Sequence, residues 1–173
     1  GSLDEAVALS DLFLDDGRIV SQRGRARGES ITYNAETMYR GQIAADVPLI
    51  VLIDAGSASA SEIVAGALQD HRRALVMGER SFGKGSVQSL VPIGNDAALK
   101  LTTARYFTPK GHSVQEGGIK PDIRVPQISD PDMERRMKYQ LRESDLRGHL
   151  INEAELKEDD LERDLKADPR FSQ

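Results

Sequence analysis

The sequence predicts an α/β protein assembled around one strand–turn–helix unit, and three observations carry that prediction. Pro48-Leu49-Ile50-Val51-Leu52-Ile53-Asp54 is an unbroken apolar run rich in β-branched residues, the pattern of a strand buried on both faces and hence of a central parallel strand. Ala60, Ile63, Val64, Ala67 and Leu68 then recur at i, i+3, i+4, i+7 and i+8, which lays one apolar face along a helix. Shorter strand-like segments punctuated by glycine flank the unit on both sides.

In chain order, Leu3 to Leu14 reads as a helix, with Asp4 and Glu5 suited to its first turn and Asp15-Asp16-Gly17 ending it at a glycine available for a left-handed cap. Arg18 to Gln22 and Glu29 to Tyr33 read as strands. The connection between them, Arg23-Gly24-Arg25-Ala26-Arg27-Gly28, is basic and broken by glycine, so it is expected to be a solvated loop rather than a phosphate site. Residues 34–47 form a polar link to the apolar strand. Beyond the helix, Ala74 to Gly78 is a short buried strand, and Val87 to Ile93 with Ala97 to Tyr106 makes a hairpin across Gly94-Asn95-Asp96, where Leu99, Leu101 and Thr103 alternate. Thr108 to Gly118 is a turn rich in glycine and lysine.

At 173 residues with 39% hydrophobic content, the chain is long enough for one domain with a real core. Past Val125 the composition shifts: residues 127–173 hold 13 acidic and 9 basic side chains, a net of −4 out of the whole chain's −5. Met133, Met137 and Leu141 suggest a helix from Asp132 to Glu143, and Leu156, Leu161 and Leu165 another from Glu153 to Leu165. The expected division is therefore a core over residues 1–126 and a charged tail, helical or partly disordered, over 127–173. Gly1-Ser2 reads as an expression scar, which would make the chain an excerpt.

The negative balance argues against nucleic acid as the main partner. Without cysteine there are neither disulfides nor thiolate metal sites, which suits cytoplasm and periplasm alike. No apolar run has the length of a membrane span, and no signal peptide is recognisable.

The chemistry concentrates in Gly56-Ser57-Ala58-Ser59-Ala60-Ser61-Glu62, where the strand's carboxyl end meets the helix N-terminus. A hydroxyl there is exposed beside unpaired N–H groups that suit an anionic intermediate. Two readings stand side by side. Ser59 and Glu62 fit a capping box; alternatively a serine is a nucleophile, which requires a base. Of the histidines, His71 lies at the helix's far end, His149 in the charged tail and His112 in a turn. Lys84, framed as Phe82-Gly83-Lys84-Gly85 with Val87 nearby, is the other candidate, provided burial lowers its pKa. Gly78 to Gly85 also approaches a phosphate loop, but Gly85 stands where Ser or Thr should hold magnesium, and a strand pattern follows where a helix is needed.

Taken together, Gly56 to Ile63, Ala65 to Asp70, Gly78-Glu79, Phe82 to Gly85 and Gln88 resemble the core of the carboxyl-terminal processing peptidases, or tail-specific proteases. Ser10 to Leu14, Lys100 to Pro109 and Gly118 to Asp122 extend the likeness, which spans roughly Leu3 to Val125. The resemblance implies a crotonase- or Clp-like spiral of strand–strand–helix units and a serine–lysine endopeptidase. Its nucleophile falls on Ser59, its base on Lys84, and a glutamine that orients the lysine in some members on Gln88. The N–H of Ala60 would be one oxyanion donor, leaving Ser57 and Ser61 as capping or packing serines. No metal or organic cofactor is implied.

In such proteins a second oxyanion donor and a PDZ domain lie upstream, so the excerpt alone would be inactive. The family's usual setting is the bacterial periplasm or cell envelope, its substrates are proteins cut near their C-termini, and membrane association would come only through upstream segments. A homodimer through the tail is also expected. Two alternatives belong to other classes: a catalytically silent peptide-binding or oligomerisation module, and a crotonase-like acyl-transfer enzyme. The pairing of Ser59 with Lys84 argues against the second, because coenzyme A chemistry in that fold needs no such dyad.

Overall fold

The computed structural model describes residues 2–25, 28–36, 47–94, 97–126 and 142–151. It is a mixed α/β arrangement with two sheets and two helices among those residues. Helix α1 (Leu3–Asp11) leads into strands β1 (Arg18–Gly24) and β2 (Ser30–Asn34). Strand β3 (Ile50–Ile53), helix α2 (Ala60–Asp70) and strand β4 (Leu75–Gly78) follow, then β5 (Ser86–Ile93), β6 (Ala97–Phe107) and β7 (Ile123–Arg124).

The four-stranded sheet has the order β2-β1-β6-β5 and is antiparallel throughout. The second sheet, β3-β4-β7, is parallel. Helix α2 joins the two hydrophobic clusters: Ile63, Ala67 and Leu68 pack with Ala6, Leu14, Ile19, Val20 and Tyr106, while Ala65 packs with Ile53, Val76, Val114 and Ile119. The predicted apolar stripe is therefore only part of its buried surface. Small Ala65 and Gly66 let the other side approach neighbours as well, with Ile119 and Thr108 close over Gly66.

Helix α1 ends at Asp11, three residues before its expected limit. The Phe13 N–H turns back to the Ser10 carbonyl at 3.1 Å, which brings Leu14 into the core at 6% exposure. Gly17 does take a left-handed φ of +93°, but well beyond the helix end. The hairpin of β5 and β6 has the expected register, with Ile93 opposite Ala97. Its outer half carries exposed Leu90, Leu99 and Leu101.

The run Pro48 to Asp54 does contain a parallel strand, yet not one buried on both faces. Among the described residues β3 is an edge strand paired to β4 alone, and Ile50 and Leu52 are 55% and 77% exposed. Ile53 points into the core instead. Continuous apolarity marks a surface that needs cover; which chain provides it is not encoded in the run itself.

The block Gly118 to Asp122 docks β7. Asp122 exchanges two backbone-directed bonds with Val76, its N–H to the Val76 carbonyl and its Oδ2 receiving the Val76 N–H, both at 2.8 Å. Of the tail, Glu153 to Leu165 lies outside the described residues, as does Asp132 to Glu143 except at its last two positions. There Arg142 is extended and Glu143–Asp145 forms a single 3-10 turn.

Burial separates two leucines that composition treats alike. In this chain Leu68→Ala should cost about 2–5 kcal/mol through lost transfer energy and a cavity, whereas Leu52→Ala should stay within about 0.5 kcal/mol. Urea unfolding of both variants checks this, and equal losses would contradict the described core.

Candidate active site

Strand β3 delivers the chain into a tight polar turn. Asp54 Oδ1 accepts the Gly56 N–H at 3.0 Å and the Ser57 hydroxyl at 2.9 Å, and the Ser57 N–H reaches the Asp54 carbonyl at 3.0 Å. Ser57 is thus occupied in shaping the turn. Two residues later Ser59 has φ +56° and ψ −112°. An ordinary cap residue is extended, and a non-glycine residue at positive φ stores about 1–3 kcal/mol that its surroundings must hold in place. A sharp strand-to-helix turn of this kind presents a serine hydroxyl at the sheet's carboxyl end. Ala60 opens α2, so its N–H has no helical carbonyl four residues back.

The surroundings that hold Ser59 centre on Glu62. This carboxylate is fully buried. Its Oε2 accepts the backbone N–H of Ser59 at 2.8 Å and that of Lys84 at 2.9 Å; its Oε1 accepts the Gly83 N–H at 2.7 Å and the Ser81 hydroxyl at 2.5 Å. One oxygen thus bridges the two candidate residues, and their backbone nitrogens are no farther apart than the sum of 2.8 and 2.9 Å. A further bond, Phe82 N–H to the Ser57 carbonyl at 2.9 Å, ties the same two segments.

Burial pushes the Glu62 carboxyl above its ordinary value of 4.5, and the bonds from Ser81, Gly83, Ser59 and Lys84 partly offset this. The capping pattern read from the sequence is therefore real in one respect, since Glu62 does take the Ser59 N–H. Its larger role, reaching across 22 residues to the lysine loop, is not visible in a local pattern. The available signal was a glutamate among Ile63, Ala65 and Gly66 on a helix that buries more than one face.

The lysine loop needs its glycines. Gly83 has φ +95°, and a Cβ there would sit 2.7 Å from the Glu116 carbonyl; a Cβ on Gly85 would overlap the Gln115 backbone. Lys84 itself is half-buried, less than the sequence reading required of a base, while Ser59 and Ala60 are half-buried too. Gln88 stands exposed on β5, beside an irregularity in the pairing with β6. The arrangement thus brings Ser59, Ala60 and Lys84 together and leaves Gln88 on an outer face.

His71 caps the far end of α2 with Nε2 2.6 Å from the Arg18 carbonyl, His112 is exposed, and His149 Nε2 lies 3.3 Å from Glu116 Oε1. Gly85 leads directly into β5, so the segment lacks the helix a phosphate loop requires. A cavity of about 680 Å³ opens at the other end of α2, lined by Asp70, Arg105 and Lys110 among others and by neither Ser59 nor Lys84.

The profile described as peptidase family S41 matches residues 1–125. A carboxy-terminal-processing protease of Bartonella bacilliformis is 51% identical over 155 residues, which is 90% of this chain and 35% of that one. A carboxyl-terminal-processing protease of Synechocystis sp. is 43% identical over 128 residues, 73% of this chain and 29% of that one. Among solved structures, the photosystem II D1 C-terminal processing protease superposes with a TM-score of 0.66 at 34% identity, covering 78% of this chain and 34% of that one. The chain spans about a third of the length of these relatives.

The raised pKa of Glu62 has a definite sign in folding. As pH rises past 4.5 the unfolded chain gives up this proton first, so the group favours the fold fully below 4.5. That contribution is lost as pH climbs through the elevated folded value. Glu62→Gln removes the titration and should cost about 1–3 kcal/mol by mismatching the donors. The stability difference between wild type and variant should shrink with rising pH from 4.5 and then level off; parallel urea-unfolding curves at all pH values would refute it.

Proposed function

The chain belongs to peptidase family S41, and from that premise we propose that it is the C-terminal part of the catalytic core of a serine endopeptidase that cleaves proteins near their C-termini. Ser59 is the nucleophile and Lys84 the general base. Lys84 takes the proton from the Ser59 hydroxyl as it attacks the peptide carbonyl, and passes it to the leaving amine. Water then repeats the cycle on the acyl-enzyme. The Ala60 N–H receives the oxyanion, and Gln88, four residues beyond Lys84, is the residue that steadies the lysine amine.

One observation carries the reading: a single buried carboxylate oxygen receives the N–H of both Ser59 and Lys84, with Ser59 in a strained backbone conformation. An ordinary cap has no reason to be fastened to a lysine loop. The two sheets joined through α2 fit a portion of a crotonase- or Clp-like spiral, with residues 1–126 as that core and the charged tail over 127–173 as the surface through which two copies pair. The relatives are carboxyl-terminal-processing proteases, which supports protein substrates. The protein works in a bacterial periplasm or cell envelope, and any membrane association is supplied by segments upstream of this chain.

A second reading is favoured by one fact, the coverage of about a third of each relative. On its own this chain then binds peptide or partner without cleaving.

Peptide hydrolysis by the full-length protein separates the possibilities. Ser59→Ala and Lys84→Ala should each lower kcat by at least about 10³-fold while unfolding at an unchanged denaturant midpoint. Lys84→Arg should be as inactive, since a guanidinium keeps its proton. Activity surviving in any of the three would overturn the dyad.

A further inference from the structure

The segment Arg142–Ile151 folds back onto the loop that carries Lys84. The Glu143 N–H meets the Phe82 carbonyl at 3.3 Å, and His149 Nε2 lies 3.3 Å from Glu116 Oε1. Glu116 is itself fastened to the lysine loop, its N–H reaching the Gly83 carbonyl at 2.7 Å. Between the two runs Gln115, with 0% exposure. Its Oε1 accepts the Gly85 N–H at 3.1 Å, while its Nε2 donates to the Leu150 carbonyl at 3.0 Å and approaches Glu143 Oε1 at 3.4 Å. A buried amide whose oxygen faces one segment and whose nitrogen faces another has both halves satisfied only when both segments are present.

We propose that Arg142–Ile151 is a strap that fixes the lysine loop, and that Gln115 is the positioning residue through which it acts. This rests on the reading of Lys84 as the base for its catalytic part, though not for its structural part. The loop is gripped on both sides. Glu62 takes the N–H groups of Gly83 and Lys84 from the helix side. Gln115 and the strap take Gly85 and Phe82 from the other. The two flanking glycines supply no side chains of their own to resist motion, so the backbone of Lys84 is placed by these external bonds. A loss on the strap side leaves Ser59 anchored while the lysine wanders, and small misplacements of a reacting group are costly.

Two changes test the strap from opposite ends: Gln115→Leu, and termination of the chain after residue 141. In amide hydrogen exchange each should raise the exchange of residues 82–86 at least tenfold while leaving α2 protected. The combined variant should exchange faster than either alone but by less than the product of the two effects, because both remove the Gln115–Leu150 bond while truncation also removes the Glu143–Phe82 contact. Unchanged exchange in residues 82–86, or additive effects, would overturn the strap.

In the full-length protein Gln115→Leu should lower kcat on the order of tenfold to a hundredfold with little change in KM. Gln115→Asn, which keeps an amide at the site, should recover part of the loss. Raised exchange with wild-type kcat would refute the positioning role, and an inactive Ser59→Ala control would show that the peptidase reading survives that result. If the Ser59→Ala control remained active, the peptidase reading and the catalytic role of Gln115 would both fall. Exchange alone would then still decide the strap.

Discussion

The arrangement depends on one buried carboxylate. Placing the charge of Glu62 out of water is unfavourable unless donors surround it, and here three backbone N–H groups and a hydroxyl do so from two separate stretches of chain. The requirement works in both directions. Helix α2 cannot bury Glu62 without recruiting the loop of residues 81–84, and the Gly83 and Lys84 N–H groups of that loop lose their acceptor without Glu62. Desolvation and hydrogen bonding thereby become a device for positioning two side chains that lie far apart in sequence.

Around that anchor the structure spends conformational strain where the chemistry would need it. Ser59 occupies a backbone conformation that few residues tolerate, held by the Asp54–Ser57 turn on one side and Glu62 on the other. The glycines flanking Lys84 permit contacts that any Cβ would block. Ser81 extends the network outward: its hydroxyl donates to Glu62 and accepts the Ile119 N–H at 2.7 Å, so the block that docks β7 is coupled to the same centre.

Much of this was legible in the residues. The order of strands and helices followed from periodicity, and the hairpin followed from its flanking alternation; the backbone N–H groups of Ser59 and Lys84, two residues the likeness singles out, share one oxygen of Glu62. What escaped was long-range. Glu62 looks like a local cap because three-residue spacing is all a short pattern can express, and its partners at 81–84 are set by tertiary packing. Gln115 sits in a turn with no periodic context, so its complete burial has no signature in sequence. Gln88 shows the converse, a residue named by likeness whose side chain the described fold leaves outside. The early end of α1 reflects the pull of Leu14 toward the core, which overrode a helical pattern that ran on to that residue.

Strand β3 bears on how the chain behaves in solution. It offers one unpaired edge among the described residues and, beside it, the exposed side chains of Ile50 and Leu52. Such an edge is a template for self-association, and four residues is a short template. The net charge of −5 opposes close approach of copies and is weakened by screening as salt is added. Colloidal stability of this chain is therefore a balance between a sticky, short border and a long-range repulsion, and ionic strength is the variable that tips it.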